Sequence, residues 1–214
     1  SPAVNVRSHA AAQLVAKGKV ATAETLEFLK LREADSALRS RALWVLAQLG
    51  EEGRAVVAEY LGAEDDPEKV IVAYRALRHA DPDGLLPRAK ALAGSKFPSV
   101  RREVAVSLKK VPFSECREAL AALIDGFDGR NRYYLEALGV AFHGKEKETY
   151  EELVRPRFPE PDKWPPKAKR LAWRLHMPGA VRDLDLCLRA QKPPVDEFRF
   201  LAMAFASFRN EEDR

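Results

Sequence analysis

The residue types that could supply a nucleophile, a proton donor or a metal ligand are sparse in this chain. Its two thiols, Cys116 and Cys187, stand outside any CxxC or CxxCH spacing that would bind a metal or attach haem, so they read as semi-buried helix residues. The four imidazoles, His9, His79, His143 and His176, fall in four different stretches, and no HxxxH or HxxE pair can clamp a metal from one helix. No Ser, His and acid cluster, no phosphate-cradling glycine loop and no paired carboxylates stand out. Glu151-Glu152 and Asp183/Asp185 read as solvated helix faces. The expectation is a chain that is not an enzyme, with no catalytic residues, no metal site and no cofactor.

The elements that carry these residues repeat. The stretch Pro98-Ser99-Val100-Arg101-Arg102-Glu103-Val104-Ala105-Val106-Ser107-Leu108 is a helix opening: an apolar anchor, an Arg, a small or branched residue four places on, and a Leu four beyond that. It recurs at Val6-Arg7, Ala10, Leu14; at Leu38-Arg39, Ala42, Leu46; at Lys69, Ala73, Leu77; and at Tyr133, Ala137, Ala141. Later copies start at Ala168 and Phe198, and the intervals lie between 30 and 35 residues. A period of that size signals stacked helical pairs rather than separate domains. Strand signals are absent, since no period-two alternation outlasts four residues.

Helix boundaries follow from local chemistry. The first helix runs to Lys17 with Gly18 at its end and has no partner helix before it. A second runs from Thr22 to Ala34, and Asp35 or Ser36 caps a third that Gly50 stops. The turn Glu64-Asp65-Asp66-Pro67 puts acids and an N1 proline ahead of the helix to Ala80. Pairs follow over 85–111 and 114–142. Beyond Gly144 an acidic helix reaches Val154, and prolines 156, 159, 161, 165 and 166 predict a long loop until Lys167. Pro193-Pro194 opens the last helix, through Phe208, and Asn210 to Arg214 form a polar tail.

The whole chain is 214 residues, 46% apolar, with a net charge of +4 and a pI near 9.1, too mild a balance to imply nucleic acid without a clustered patch. No apolar run is long enough to cross a bilayer, and no signal-peptide pattern is present. The start at Ser1-Pro2 rather than Met leads us to expect a removed leader or a piece cut from a longer chain.

Antiparallel helices with Asp in the turn and Val-Arg opening the second helix resemble the HEAT repeat in its short bacterial form. Asp35 with Arg39 and Asp128 with Arg132 match the family's turn Asp and Arg, while Lys69-Val70 departs from Val-Arg. The resemblance implies an all-α fold, a right-handed α-α superhelix of about six to seven hairpins. It would span 1–214 as one solenoid, regular over 1–144 and looser over 145–214. The stretches Asn131-Arg132-Tyr133-Tyr134-Leu135-Glu136-Ala137-Leu138-Gly139, Gly144-Lys145-Glu146 and Ala172-Trp173-Arg174-Leu175-His176 also resemble the HEAT segment of large exported bacterial proteins. Those proteins join a propeller-type dehydrogenase-like domain to a c-type cytochrome domain. That resemblance implies a periplasmic or extracytoplasmic location; without it the chain reads as cytoplasmic. The haem-attaching CxxCH is absent, so no redox chemistry transfers.

Two sets of side chains are singled out. Arg7, Arg39, Arg101 and Arg132 share one repeat position and predict a structural ladder with the turn acids Asp35 and Asp128 of adjoining repeats. On the second helix of each pair, positions two, six and nine after the anchor should face away from the core. They contribute Trp44, Arg75, Arg78, Arg102, Lys109, Arg170 and Arg174, six of them basic, and no acid. Leu135, Gly139, Phe142, Ile71, Phe200 and Ser207 occupy the same positions. The concave face they would line is basic and partly apolar, suited to a protein partner or neighbouring domain, an acidic one included. Nucleic acid is disfavoured, and a monomer without membrane insertion is expected. Two alternatives stay open: a HEAT-like DNA glycosylase, disfavoured because the face holds no acid to stabilise a cationic sugar, and a chromophore-lyase-like HEAT protein.

Overall fold

The computed structural model describes residues 3–30, 35–63 and 65–206. The reach of the second helix to Ala34, the turn acid Glu64, Ser207 and the tail from Asn210 to Arg214 lie outside them. The described residues form thirteen α-helices joined by short 3-10 and π turns, and no strand occurs among them. The backbone falls into two compact units, Ser1–Arg88 and Ala89–Arg214. Their division lies inside α6 (Leu85–Leu92).

The first unit holds α1 (Val4–Ala16), α2 (Lys19–Lys30), α3 (Ser36–Gln48), α4 (Glu51–Glu59) and α5 (Pro67–Ala80). Helix α3 is its hub: α1, α2, α4 and α5 all pack on it, and α4 also packs on α5. The caps are those the sequence announces. The Asp35 carboxylate accepts from the Ala37 and Leu38 amides at 2.6 and 3.3 Å, and Gly50 closes α3 at φ 95°. Asp66 accepts from the Lys69 amide at 3.1 Å ahead of Pro67. The core gathers Leu43, Leu46, Ala47, Val57, Ala73, Ala76 and Leu77.

The second unit holds α7 (Pro98–Ser107), α8 (Phe113–Asp125), α9 (Arg132–Phe142), α10 (Glu146–Glu148), α11 (Pro166–Leu175), α12 (Pro178–Gln191) and α13 (Val195–Ala206). Alternate helices lie against one another, α7 on α9, α9 on α11 and α11 on α13. The intervening elements α8, α12 and a π-helical turn at Thr149–Val154 pack on the same helices from elsewhere. Helix α10 runs without a break through that turn and a 3-10 turn at Arg155–Arg157 that contains Pro156. The proline-rich loop is therefore shorter than expected, because proline is tolerated in the first turn of a new helical segment. It is also structured: a second 3-10 turn, Pro161–Lys163, packs on α12, and the Trp164 indole donates to the Phe158 carbonyl at 2.9 Å.

The repeat register needs one correction. Val100 and Ala168 are buried as anchors, but Val6, Leu38, Tyr133 and Phe198 are exposed. Val70 is buried instead of Lys69, and Tyr134 instead of Tyr133. One residue turns a helix by about 100°, so an anchor chosen one place early points to solvent.

Candidate functional site: an aromatic and arginine face on the second unit

Helix α11 has two sides. Ala168, Leu171, Ala172 and Leu175 are buried, and Lys169 is buried with them because its ammonium meets Glu197 at 2.6 Å and the Gln191 amide oxygen at 3.1 Å. The half-buried Arg170, Trp173 and Arg174 lie three and four residues apart, on one stripe of the helix. The Arg170 guanidinium sits over the Phe200 ring of α13 at 5.1 Å, and the Trp173 indole packs on the same ring at 4.5 Å. His176, left-handed at φ 51° where α11 ends, meets Trp173 edge-on at 5.5 Å. Arg174 crosses to α9, where its Nε donates to Glu136 at 3.1 Å. Gly139 makes that crossing possible, since a Cβ there would stand 2.0 Å from the guanidinium carbon. Arg132 Nε lies 3.9 Å from the other Glu136 oxygen. Tyr133 stands 75% exposed beside Arg132 on α9, and Met203 is 61% exposed on α13. Aromatic rings beside guanidinium groups suit a carboxylate carried next to an apolar side chain.

Of the seven residues expected on a basic face, the structure brings Arg170 and Arg174 together here. Arg102 is half-buried on α7, and Lys109 is exposed in the turn after it. Trp44, Arg75 and Arg78 belong to the first unit, where Trp44 is half-buried with its ring 5.7 Å from that of His79, Arg75 is exposed and Arg78 half-buried. Two expectations are overturned. Leu135, Gly139 and Phe142 are buried rather than facing outward, because α9 is covered by α7, α8 and α11. The face also carries an acid: Glu136 is one place beyond the positions counted, and its ion pair with Arg174 draws it in.

The expected ladder resolves into other bonds. Arg101 donates to the Ser95 carbonyl, to the Gly126 carbonyl at 2.8 Å and to Tyr134 Oη at 3.0 Å, so it ties loops together through carbonyls rather than acids. Arg132 turns to Glu136 of its own helix. Asp35 caps α3, and Asp128 accepts from the Arg130 and Asn131 amides at 2.8 and 2.9 Å. The Asn131 and Arg130 amides hold the Asp128 carboxyl below its usual range. Arg7 and Arg39 are half-buried in the first unit. A turn acid close to a helix start meets unpaired amides first, which is why the caps prevail.

Two buried charged groups and the half-exposed Glu136 escaped the sequence reading. Asp183 is buried, not solvated: it accepts from Tyr150 Oη, with Arg155 Nε at 3.6 Å. Burial, then the Asp183 contact, pushes the Tyr150 phenol up. Lys145 is buried too, its ammonium reaching the Leu108 and Lys109 carbonyls at 3.3 and 3.1 Å and so capping the end of α7. Neither had a local signal, since both partners lie more than thirty residues away. Glu136 did have one, an Arg four places earlier. Cys116 and Cys187 are free, fully buried thiols, and burial raises both above the ordinary thiol range. Among the described residues no group of three His, Cys, Asp or Glu side chains gathers as a metal site would require.

The fold defines an all-helical protein, and its relationships go no further: no family pattern, no curated protein and no solved structure matches the chain.

Proposed function

We propose that this chain is a non-catalytic helical-repeat scaffold of the HEAT type, and that the face on α9, α11 and α13 docks a protein partner through an acidic side chain set beside an apolar one. The repeat spacing and the side-by-side order of α7, α9, α11 and α13 support the repeat reading. The observation that carries the docking reading is the Arg170, Phe200 and Trp173 cluster, because aromatic residues and arginine dominate protein-binding hot spots. The resemblance of 131–139 and 172–176 to exported multi-domain proteins makes a neighbouring domain one such partner. The test is an array of short acidic peptides, with and without an aromatic or aliphatic residue, read against the wild type and Arg170→Glu. Capture should need both features and fall about tenfold, roughly 1.4 kcal/mol, in the variant. Equal capture of pure polyglutamate would reduce the face to bare charge.

Glu136 favours a second reading, because the absence of an acid was the reason to set a glycosylase aside. Its carboxylate is held by Arg174 and approached by Arg132, an ion pair rather than a group poised beside a sugar. Incubation with an alkylated duplex separates the readings: release of free base, lost in Glu136→Gln, would replace the scaffold with an enzyme.

A further inference from the structure

On the face formed by α9, α11 and α13, one arginine already holds a carboxylate. Arg174 Nε of α11 donates to Glu136 of α9 at 3.1 Å, and Arg132 Nε, one turn earlier on α9, lies 3.9 Å from the other oxygen of the same group. The pair is open to solvent, with the side chains of Glu136 and Arg174 44% and 27% exposed. Gly139 leaves the room in which the Arg174 guanidinium crosses to α9. One turn before Arg174, the Arg170 guanidinium sits over the Phe200 ring at 5.1 Å, and Trp173 packs on that ring at 4.5 Å. Four residues at about 1.5 Å each put Arg174 roughly 6 Å along α11 from Arg170, so one short ligand segment can reach both the rings and the ion pair.

We propose that Glu136 determines the specificity of this face: it is an internal competitor for the partner's carboxylate and must be displaced from Arg174 before the partner is held there. The inference rests on the docking reading above. Its physical basis is an exchange. A carboxylate that takes the place of Glu136 gives Arg174 one charge-assisted hydrogen bond for another, so the exchange gains little, and Glu136 repels it as it approaches. The net gain has to come from the neighbouring rings, where an apolar side chain laid over Phe200 and Trp173 leaves water. Glu136 thereby makes the apolar group obligatory. Bare negative charge is turned away, although α9 and α11 carry Arg132, Arg170 and Arg174.

The test titrates the full chain with three capped peptides, Glu-Gly-Glu-Gly, Glu-Phe-Glu-Gly and Gln-Phe-Gln-Gly, and follows the NMR shift of the Trp173 indole N–H. Glu136→Gln removes the competing charge and keeps the shape of the side chain. It should raise the affinity for both acidic peptides about tenfold and leave that for the Gln peptide unchanged, so that the glycine-spaced peptide binds measurably only in the variant. The gain should vanish when Glu136→Gln is made in an Arg174→Gln chain, the cycle that isolates this pair. Equal affinities in the wild type and Glu136→Gln would overturn the proposal. So would a gain that persists in the Arg174→Gln chain, since that reports added net charge rather than the release of one arginine. The docking reading fails separately, when the two acidic peptides bind alike in every chain; a gain that needs both Glu136→Gln and Arg174 would then still support the competition. Absence of binding by any peptide to wild type and variants up to about 1 mM, near the weak end of specific association, would overturn both.

Discussion

Tyr150 and Asp183 show how a single pair can set a pH limit. The phenol is buried and donates to a buried carboxylate, so its ionised form is disfavoured twice, by lost hydration and by a neighbouring negative charge. A phenol raised in the fold stays protonated there while the unfolded chain ionises near pH 10. Its stabilisation is therefore whole below pH 10 and is lost as the pH climbs above that value. Replacing Tyr150 by Phe leaves Asp183 without its hydroxyl donor and should cost roughly 1–3 kcal/mol at pH 7. Urea denaturation at pH 7 and above pH 10 checks both statements: the gap between wild type and Tyr150→Phe should narrow at the higher pH. A constant gap would mean that the phenol ionises at its ordinary pH in the fold.

At the scale of the helix, two glycines permit close approach for different reasons, and their alanine variants should differ accordingly. A Cβ at Gly53 of α4 would lie 2.0 Å from the Leu46 carbonyl oxygen of α3, a backbone atom that cannot step aside. Gly53→Ala should separate α3 from α4 and cost about 1–3 kcal/mol. At Gly139 the obstacle is the mobile end of Arg174, and alanine is the better helix former by up to about 1 kcal/mol. Gly139→Ala should leave the melting temperature nearly unchanged while displacing Arg174 from Glu136. Thermal melts of the two variants give the comparison, and equal losses would show that Arg174 is fixed in its crossing. Lys145 serves a helix end in a similar way: α7 lacks a C-terminal glycine cap, and a buried ammonium from beyond α9 takes the carbonyls of Leu108 and Lys109 just past its end.

Across the whole molecule, burial is uneven. Helix α1 has no buried residue, whereas α5 buries Val70, Ala73, Tyr74, Ala76 and Leu77, and α9 buries seven of its eleven. Local opening follows the apolar contacts that must be broken, so α1 should be the first helix to exchange its amides. Native-state hydrogen exchange should find Ala10 to Val15 fast while Ala73 to Leu77 and Tyr134 to Ala141 stay protected. Equal protection across these three stretches would contradict this. The chain also divides inside α6, well before Gly144, where the sequence rhythm loosens. Contacts along a chain and the rhythm of its sequence are separate properties, and only the first defines a compact unit.

The sequence alone determined that the described chain is helical throughout and where most helices begin, because caps and 3.6-residue periodicity act within one or two turns. Asp35 and Asp66-Pro67 open their helices with bonds to amides no more than three residues away. It also placed Arg170 and Arg174 on one face, which is a matter of spacing, while Trp173 joins them only in the folded structure. Tertiary structure decided the rest. Helix α9 is apolar almost all round, so its own residues could not say whether Tyr133 or Tyr134 faces inward; packing by α7, α8 and α11 did. The partners of Arg101, Lys145, Asp183 and Arg174 lie on other elements, and charge type alone does not say which neighbour folding delivers. That is why a face read as basic, partly apolar and free of acids contains an ion pair, and an acid read as solvated is buried beneath a tyrosine.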